Sequence, residues 1–272
     1  DKMPRFTGGS SGYVPLDITN PDAISQTFVD FAPDVVINCA AMTQVDECES
    51  NREACWQVNA IAVDNLAKNC LARGTRLIQV STDFVFDGQN GPYKEGARPN
   101  PLSYYGRSKL AGENYARGAG MDKWSIVRTV LIYGVAEGLQ RSNFVWWLKD
   151  NLEAGKTVKI VTDQWRTPTY ALDLAAGIEK MVRFSKQGVY HLAGRELFSV
   201  FEFAKEIAKT LDLDDSLILP ADESTFTQAA TRPSKSGFII LKAESELGYS
   251  PHSTRESVLE MVKEEQRIKL SP

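Results

Sequence analysis

Apolar positions in the first half of the chain follow two spacings, one typical of buried strands and one typical of helices. Short continuous apolar runs rich in β-branched residues predict three strands, at 34–41, 76–81 and 124–130. Apolar positions with a period near 3.6 residues predict one helix at 21–31, before the first strand, and another at 51–73, between the first two strands, where Gly74 ends it. Strands that alternate with helical crossovers predict a parallel sheet covered on both sides.

The pattern becomes less regular beyond residue 131. Its periodicity predicts helices at 141–153, 171–184, 199–211 and 253–268, and short strands near 157–161 and 188–192. Since tight strand–helix–strand repeats no longer follow one another, a smaller lobe that closes over the sheet is indicated. We therefore predict a Rossmann-type doubly wound α/β fold. Its dinucleotide-binding domain would span 1–130 and a mainly substrate-binding lobe 131–272, with helix 171–184 returning to the first domain.

Composition narrows the function classes. The chain has 272 residues, 43% of them hydrophobic, and a formal net charge of −4 at pH 7. Such a balance gives no general attraction to nucleic acid or anionic membranes, and no apolar run approaches the roughly 18 residues of a membrane span. Its four cysteines form no CxxC pair and its two histidines lie far from them. We therefore expect neither a metal site nor disulfides, and a cytoplasmic location.

Tyr105 and Lys109 are the first candidates for chemistry. They stand four residues apart, so on a helix they project from the same face. An ammonium favours phenolate, and we expect Lys109 to lower the pKa of Tyr105 from near 10 into a range where it exchanges protons. Alternatively, both are ordinary residues of a solvated helix. Polar residues also follow each predicted strand, where ligands collect in parallel sheets, namely Asn38-Cys39-Ala40-Ala41, Ser81-Thr82-Asp83 and Arg128-Thr129.

A phosphate-binding turn is not evident. Dinucleotide-binding folds open with a strand, a glycine-rich turn and a helix. Residues 7–12 contain three glycines, but no apolar strand precedes them, and Tyr13-Val14-Pro15 follows where a helix should begin. We expect a surface loop at 7–12. We also expect that the roughly 30 residues that carry the usual strand, turn and helix are absent from this sequence.

Several motifs together resemble the extended short-chain dehydrogenase/reductases, and within them the dTDP-4-dehydrorhamnose reductase family. The resemblance runs from about residue 14 to the C-terminus, and the stretch from Ser81 to Gly88 is its most specific part. The motifs that carry it are Asn38-Cys39-Ala40-Ala41-Met42-Thr43, Val58-Asn59-Ala60, Ser81-Thr82-Asp83-Phe84-Val85-Phe86-Asp87-Gly88, Tyr105-Gly106-Arg107-Ser108-Lys109-Leu110-Ala111-Gly112-Glu113 and Thr167-Pro168-Thr169.

This resemblance implies reduction of the C4 carbonyl of a nucleotide-linked deoxysugar, dTDP-4-dehydrorhamnose, to dTDP-L-rhamnose by NADPH or NADH. Tyr105 would donate the proton, Lys109 would hold the nicotinamide ribose, and Thr82 would hydrogen-bond the carbonyl oxygen. Further cofactor contacts are implied for Asp17, Ile18, Ala40, Ala41, Asn59 and Ser81. Substrate contacts are implied for Thr43, Asp83, Phe84, Asn143, Trp147, Arg166 and Arg232.

Most of these roles have a structural alternative. Thr82 could end its strand with its hydroxyl on the backbone, Asn59 could be a polar residue within a helix, and Asp17 could cap the following helix. Trp146 and Trp147 are adjacent in a predicted helix, so at most one lines a pocket, and either could belong to the core.

The resemblance leaves other chemistries to weigh. Similar sugar dehydratases carry Glu where Phe84 follows Asp83, and phenylalanine can act neither as acid nor as base, which disfavours elimination. The alternatives that remain are another nucleotide-sugar epimerase or reductase and a non-catalytic subunit resembling the methionine adenosyltransferase β subunit. Lys2 and Arg5 could meet the 2′-phosphate of NADPH or be solvated charges, so the choice of cofactor stays open. A homodimer is compatible with these expectations.

Overall fold

The computed structural model describes residues 12–120, 122–135 and 143–270. Its strands are β1 (Val35–Asn38), β2 (Arg76–Thr82), β3 (Trp124–Thr129), β4 (Ile132–Tyr133), β5 (Val158–Val161), β6 (Trp165–Arg166), β7 (Thr169–Tyr170), β8 (Gly188–His191), β9 (Phe198–Ser199) and β10 (Ile218–Ala221). Its helices are α1 (Pro21–Phe31), α2 (Val45–Ser50), α3 (Arg52–Trp56), α4 (Ala62–Arg73), α5 (Tyr104–Gly118), α6 (Phe144–Glu153), α7 (Ala171–Arg183), α8 (Val200–Thr210), α9 (Leu241–Leu247) and α10 (Thr254–Leu270).

Four parallel strands form the main sheet, in the order β1-β2-β3-β8. The register pairs Asn38 with Gln79 and Thr82 with Thr129, so the carboxyl ends of three strands lie at one edge. Asn38 also donates a buried hydrogen bond from its amide to Gln79, at 2.8 Å, which ties β1 to β2. The predicted parallel α/β sheet is confirmed, although its first strand is shorter than 34–41.

Helices cover both faces of this sheet. One face packs against α1, α4 and α5 through a core that includes Ile24, Leu66 and Leu77. The other face packs against α7 and α9 through a core that includes Val127 and Ile178. Both faces of the central strands are therefore buried, which explains why those strands are continuous apolar runs.

Local signals fix the ends of the helices that flank the site. Asn20 accepts the backbone N–H groups of Asp22 and Ala23 at the start of α1, and Ser103 accepts that of Gly106 in α5. The helix predicted at 51–73 consists of α3, a π-helical turn at Gln57–Ile61 and α4, and it ends at Gly74 as predicted.

The lobe is built around α6, α8 and α10, with the parallel pair β5 and β10. Leu148, Phe203 and Met261 are completely buried in its core. The strand predicted near 188–192, which we assigned to the lobe, instead pairs with β3 in the main sheet as β8. It is the edge strand of that sheet, since its described pairing is with β3 alone. Both α7 and β8 therefore follow residue 130 in the sequence but pack with the main sheet, so the predicted boundary at residue 130 does not separate the two parts completely.

The predicted helix at 141–153 begins at Phe144 in the structure, and residues 141 and 142 lie outside the described part. Among the described residues, no helix combines the length and apolar character needed to cross a bilayer. Within the same ranges, no three His, Cys, Asp or Glu side chains are grouped so as to hold a metal ion. All four cysteines are free thiols.

Candidate active site

The first turns of α5 lie across the carboxyl end of β2. Tyr105 is buried there, 8% exposed, and its hydroxyl is hydrogen-bonded to Thr82. Lys109 follows one turn later and donates from Nζ to the carbonyl oxygen of Val80 at 2.8 Å. The structure thus brings Tyr105, Lys109 and Thr82 together in one cluster at a strand end.

Two glycines allow α5 to approach so closely. A Cβ atom on Gly106 would lie 2.2 Å from the backbone oxygen of Phe84, and one on Gly112 would lie 2.4 Å from that of Asn59. Neither backbone oxygen could move without shifting its own segment. The glycines therefore set how near Tyr105 and Lys109 stand to the strand end and to the π-helical turn.

The expected effect of Lys109 on Tyr105 was wrong for this structure. Burial raises the pKa of Tyr105, and its hydrogen bond to Thr82 only partly offsets that effect. Burial also lowers the pKa of Lys109 to about 8, while the nearby Glu113 carboxylate acts in the opposite direction. The reason is that removal from water dominates both groups, and that the ammonium is directed to a main-chain carbonyl.

A cavity of about 690 Å³ lies at the carboxyl end of β1. That is a size typical of small-molecule and cofactor sites. The residues predicted to contact the cofactor that line it are Asp17, Ile18, Ala40 and Ala41. The small side chains of the two alanines leave room beside the strand end, and the exposed thiol of Cys39 lines the same wall.

This cavity suits the adenosine half of a dinucleotide, which needs flat apolar contacts and a few polar groups. The carboxylate of Asp17 already accepts hydrogen bonds from the backbone and hydroxyl of Thr19, at 2.9 and 2.7 Å. The helix cap is instead Asn20. The predicted surface loop at 7–12 lies outside the described residues except for Gly12, which is exposed, and Lys2 and Arg5 also lie outside them.

Asn59 occupies the π-helical turn and is almost fully buried. Its side-chain oxygen accepts from the backbone N–H of Met42 at 2.9 Å, and its amide donates to the carbonyl of Met42 at 3.0 Å. The same amide donates to the hydroxyl of Ser108 on α5, also at 3.0 Å. Asn59 therefore ties the segment after β1 to the helix that carries Tyr105, and its side chain does not face the cavity.

Ser81 also differs from its predicted role. It is buried, and its hydroxyl donates to the carboxylate of Glu113 on α5 at 2.6 Å. The alternation of side chains along a strand explains this, because Ser81 points to the opposite face from Thr82. Its hydroxyl proton is therefore used within the protein, and the contact of Ser81 with a cofactor stays a prediction.

Asp83 and Arg166, predicted to contact substrate, meet each other inside the protein. Arg166 Nε lies 3.5 Å from a carboxylate oxygen of Asp83, which also accepts from the hydroxyl of Ser236. Burial raises the pKa of Asp83, and the guanidinium of Arg166 opposes that effect. Since Arg166 also donates to the carbonyl of Ser234 at 3.2 Å, this network fastens the lobe to the end of β2.

Phe84 is placed beside the proposed proton donor. Its ring packs edge-on against Tyr105, with ring centres 5.6 Å apart and an interplanar angle of 71°. The guanidinium of Arg166 lies 5.9 Å from the ring centre of Phe84 on another side. Phe84 therefore gives the phenol an apolar wall, which helps to explain why the pKa of Tyr105 is raised.

Arg232 reaches the segment after β1 from the lobe. Its Nη2 lies 2.7 Å from the carboxylate of Asp46 on α2, and Asp46 also accepts the backbone N–H of Ala230 at 3.0 Å. The guanidinium of Arg232 lowers the pKa of Asp46. This ion pair thus joins the two parts of the molecule beside the site.

The remaining predicted substrate residues are less closely grouped. Thr43 is exposed just after β1. Asn143 caps α6, accepting from the N–H of Val145 at 3.1 Å and donating to the carbonyl of Gly134 at 2.5 Å. Trp147 is 40% exposed, and its ring packs against Phe144. Asn143 therefore has a structural role as a cap, and the substrate contacts of Asn143, Thr43 and Trp147 stay predictions.

Sequence reasoning missed two charged residues that organise the site, Glu113 and Asp46. The signal for Glu113 was present, because it follows Lys109 by four residues and so continues the face of Tyr105 and Lys109. No local signal marks Asp46, since its partner Arg232 lies 186 positions further along the chain.

Comparison with known proteins places the chain in a family. The family model described as the RmlD substrate binding domain matches residues 7–267. The chain belongs to this family. Its relatives include the probable low-salt glycan biosynthesis reductase Agl14 of Haloferax volcanii. It is 35% identical over 237 residues, which are 86% of this chain and 79% of that protein.

Two further comparisons bear on the predictions. The methionine adenosyltransferase 2 subunit beta of Danio rerio is 32% identical, covering 89% of this chain and 75% of that protein. The crystal structure of dTDP-4-dehydrorhamnose reductase from Bacillus anthracis in complex with NADP has a TM-score of 0.85 and 33% identity. That match covers 92% of this chain and 87% of that chain.

These findings confirm the family, the fold and the class of enzyme predicted from the motifs, a reductase of the nucleotide-sugar type. The predicted nicotinamide cofactor agrees with the NADP bound in the Bacillus anthracis structure. The individual contacts to cofactor and substrate stay predictions.

Proposed function

We propose that this RmlD-family protein reduces the C4 carbonyl of a nucleotide-linked deoxysugar, converting dTDP-4-dehydrorhamnose to dTDP-L-rhamnose with NADPH or NADH. The observation that carries the proposal is the cluster of Tyr105, Thr82 and Lys109 at the end of β2, next to the cavity at the end of β1. A bound reduced nicotinamide supplies the hydride for such a reduction.

The chain's own residues supply the proton and its control. Tyr105 holds a proton at neutral pH because burial raises its pKa, so it can deliver that proton to an oxygen that becomes negative. The Thr82 hydroxyl, which donates to a carboxylate oxygen of Asp83 at 3.1 Å in this structure, can turn its proton to the same oxygen. Lys109 provides a cation beneath the site, anchored on the carbonyl of Val80.

Phe84 supports reduction over elimination. It occupies the sequence position where similar sugar dehydratases carry Glu, and its ring packs edge-on against Tyr105. With Asp83 held by Arg166 and Ser236, no carboxylate next to Phe84 is free to take that part. One proton donor is sufficient for carbonyl reduction, whereas removal of water from a sugar needs two groups.

The test is a turnover assay with full-length protein, NADPH and dTDP-4-dehydrorhamnose, followed by the loss of reduced-nicotinamide absorbance and by identification of the sugar product. Tyr105→Phe should reduce kcat by about 100-fold or more, as expected for loss of a general acid. Tyr104→Phe is the matched control, because Tyr104 lies on the same helix but packs against Trp56. Absence of turnover in the unmodified protein, despite NADPH binding, would contradict the proposal.

The similarity to the Danio rerio methionine adenosyltransferase 2 subunit beta supports a second candidate, a binding subunit without turnover. The two candidates differ in one measurement. A binding subunit would bind NADPH and retain that affinity in Tyr105→Phe, but would oxidise no NADPH with any nucleotide sugar. A product with inverted configuration and no net NADPH oxidation would instead indicate an epimerase.

A further inference from the structure

Three residues on one face of α5 contact three consecutive residues of β2. Tyr105 is hydrogen-bonded to Thr82, Lys109 binds the carbonyl of Val80, and Glu113 binds the hydroxyl of Ser81. The helix residues are spaced by four, so they form one line along the helix. Their contacts fix where α5 lies along the strand, and therefore where Tyr105 stands.

Glu113 is the most constrained of the three helix residues. It is completely buried. Besides Ser81, its two carboxylate oxygens accept from Nε and Nη2 of Arg128 on β3, at 2.8 and 2.7 Å, and from Arg117 at 2.6 Å. Arg128 is itself 1% exposed. A buried carboxylate with this many donors is held in a single position.

We propose that Glu113 is a positioning residue, which holds α5 in register with the end of β2 and keeps a negative charge one helical turn from Lys109. The proposal deepens the proposed function and rests on it for the catalytic meaning of Lys109. The contacts of Glu113 with β2 and β3 do not depend on any ligand.

The surroundings of Lys109 show why such a charge matters. Burial lowers the pKa of Lys109 to about 8, so little more is needed to remove its proton at neutral pH. The ionisable groups that act on it are Glu113 on α5, Cys39 after β1 and Cys55 on α3, and Glu113 is the strongest of these. Burial raises the pKa of Cys39, which favours its neutral thiol. Glu113 is therefore the group whose removal should change the charge of Lys109 most.

A purely structural ion pair is the competing explanation. Buried carboxylate–guanidinium pairs often serve packing alone. Glu113→Gln by itself would leave Arg128 buried without its anionic partner, and unfolding would then obscure the result. The informative variant removes both buried charges, Glu113→Gln together with Arg128→Met, and leaves only the partly exposed Arg117 without its partner. Arg117→Met is the matched control, because it removes a partner of Glu113 but leaves the carboxylate.

The primary measurement is the titration of Lys109 by NMR in protein with ¹³C-labelled lysine, with the signal assigned by its loss in Lys109→Arg. We expect a midpoint near 8 in the unmodified protein. We expect it to fall by about one pH unit or more in Glu113→Gln/Arg128→Met, and not to fall in Arg117→Met. An unchanged midpoint in the folded double variant would overturn the proposal.

The second measurement is the pH profile of kcat/KM. If the proposal holds, the alkaline limb of the double variant moves to lower pH by the same amount as the Lys109 midpoint. A midpoint that moves while the alkaline limb stays in place would refute the link to activity. If the unmodified protein turns over no substrate, the proposed function fails, but the NMR titration still decides whether Glu113 controls the charge of Lys109.

Discussion

Gly106 offers a direct test of how closely α5 must approach the end of β2. In Gly106→Ala the new Cβ would lie 2.2 Å from the backbone oxygen of Phe84, whereas ordinary contacts begin at 3.4 Å. The helix or the strand-end loop must therefore move by about 1.2 Å to relieve the clash. Because Phe84 contributes a main-chain atom, no side-chain rotation can absorb this displacement.

The expected cost has two parts. Overpacking of this kind destabilises by about 1–3 kcal/mol, which a domain with a stability of about 5–15 kcal/mol survives. A shift of about 1 Å at the proton donor should lower kcat by about 100-fold. Tyr105 is the residue next to Gly106, so its hydrogen bond to Thr82 is the contact most exposed to the shift.

The assay compares kcat with saturating NADPH and sugar nucleotide against the free energy of unfolding in urea. Gly118→Ala is the control, since Gly118 lies at the end of the same helix and no atom lies within 4 Å of a Cβ built there. That variant should keep full kcat and gain up to about 1 kcal/mol from helix propensity. A folded Gly106→Ala protein with unaltered kcat would refute the reasoning.

Three further predictions concern charged and thiol groups. Because the folded state lowers the pKa of Lys109 from 10.5 to about 8, its buried charge destabilises the protein fully below pH 8, and less as the pH rises toward 10.5. Lys109→Met should therefore raise the free energy of unfolding at pH 7 by about 2 kcal/mol and abolish turnover. A variant that is less stable than the unmodified protein at pH 7 would contradict this prediction. Asp46→Asn should lower the free energy of unfolding, measured in urea, by less than about 1 kcal/mol, because the ion pair of Asp46 with Arg232 is partly exposed. A larger decrease would contradict the small contribution expected of a partly exposed ion pair. A thiol reagent should modify Cys39 in the folded protein, because Cys39 is exposed. NADPH should slow that reaction, because Cys39 lines the cavity at the end of β1. Rapid modification of Cys48, Cys55 or Cys70 would contradict their burial.

The central sheet could be predicted from the sequence because its signals are local. Continuous apolar runs gave β2 and β3 within a residue or two, and Gly74 marked the end of α4. β8 was placed in the wrong part of the molecule, because nothing in its four residues states which sheet it joins. Strand pairing over 60 residues is set by the fold as a whole, not by local sequence.

The parts of the candidate site that come from recognisable motifs could be predicted from the sequence. The parts formed where distant segments of the chain meet were harder to predict. Tyr105, Lys109 and Thr82 meet as their motifs imply. Substrate contacts of Asp83 and Arg166 were implied by the resemblance to the family, yet the two side chains form an ion pair with each other across the two parts of the molecule. Sequence spacing alone cannot show which polar groups bind each other when 83 positions separate them, as here.

The contact between Arg232 and Asp46 changes what anion binding at this position would mean. Because the guanidinium already has a carboxylate at 2.7 Å, a phosphate that uses Arg232 would replace one ion pair with another. The affinity of the phosphate would then reflect the difference between its ion pair with Arg232 and the ion pair of Asp46 that it replaces. Fewer small ions would be released on binding than if Arg232 had no carboxylate partner beforehand. A binding affinity that changes little with added salt would accordingly indicate a ligand that displaces Asp46 from Arg232.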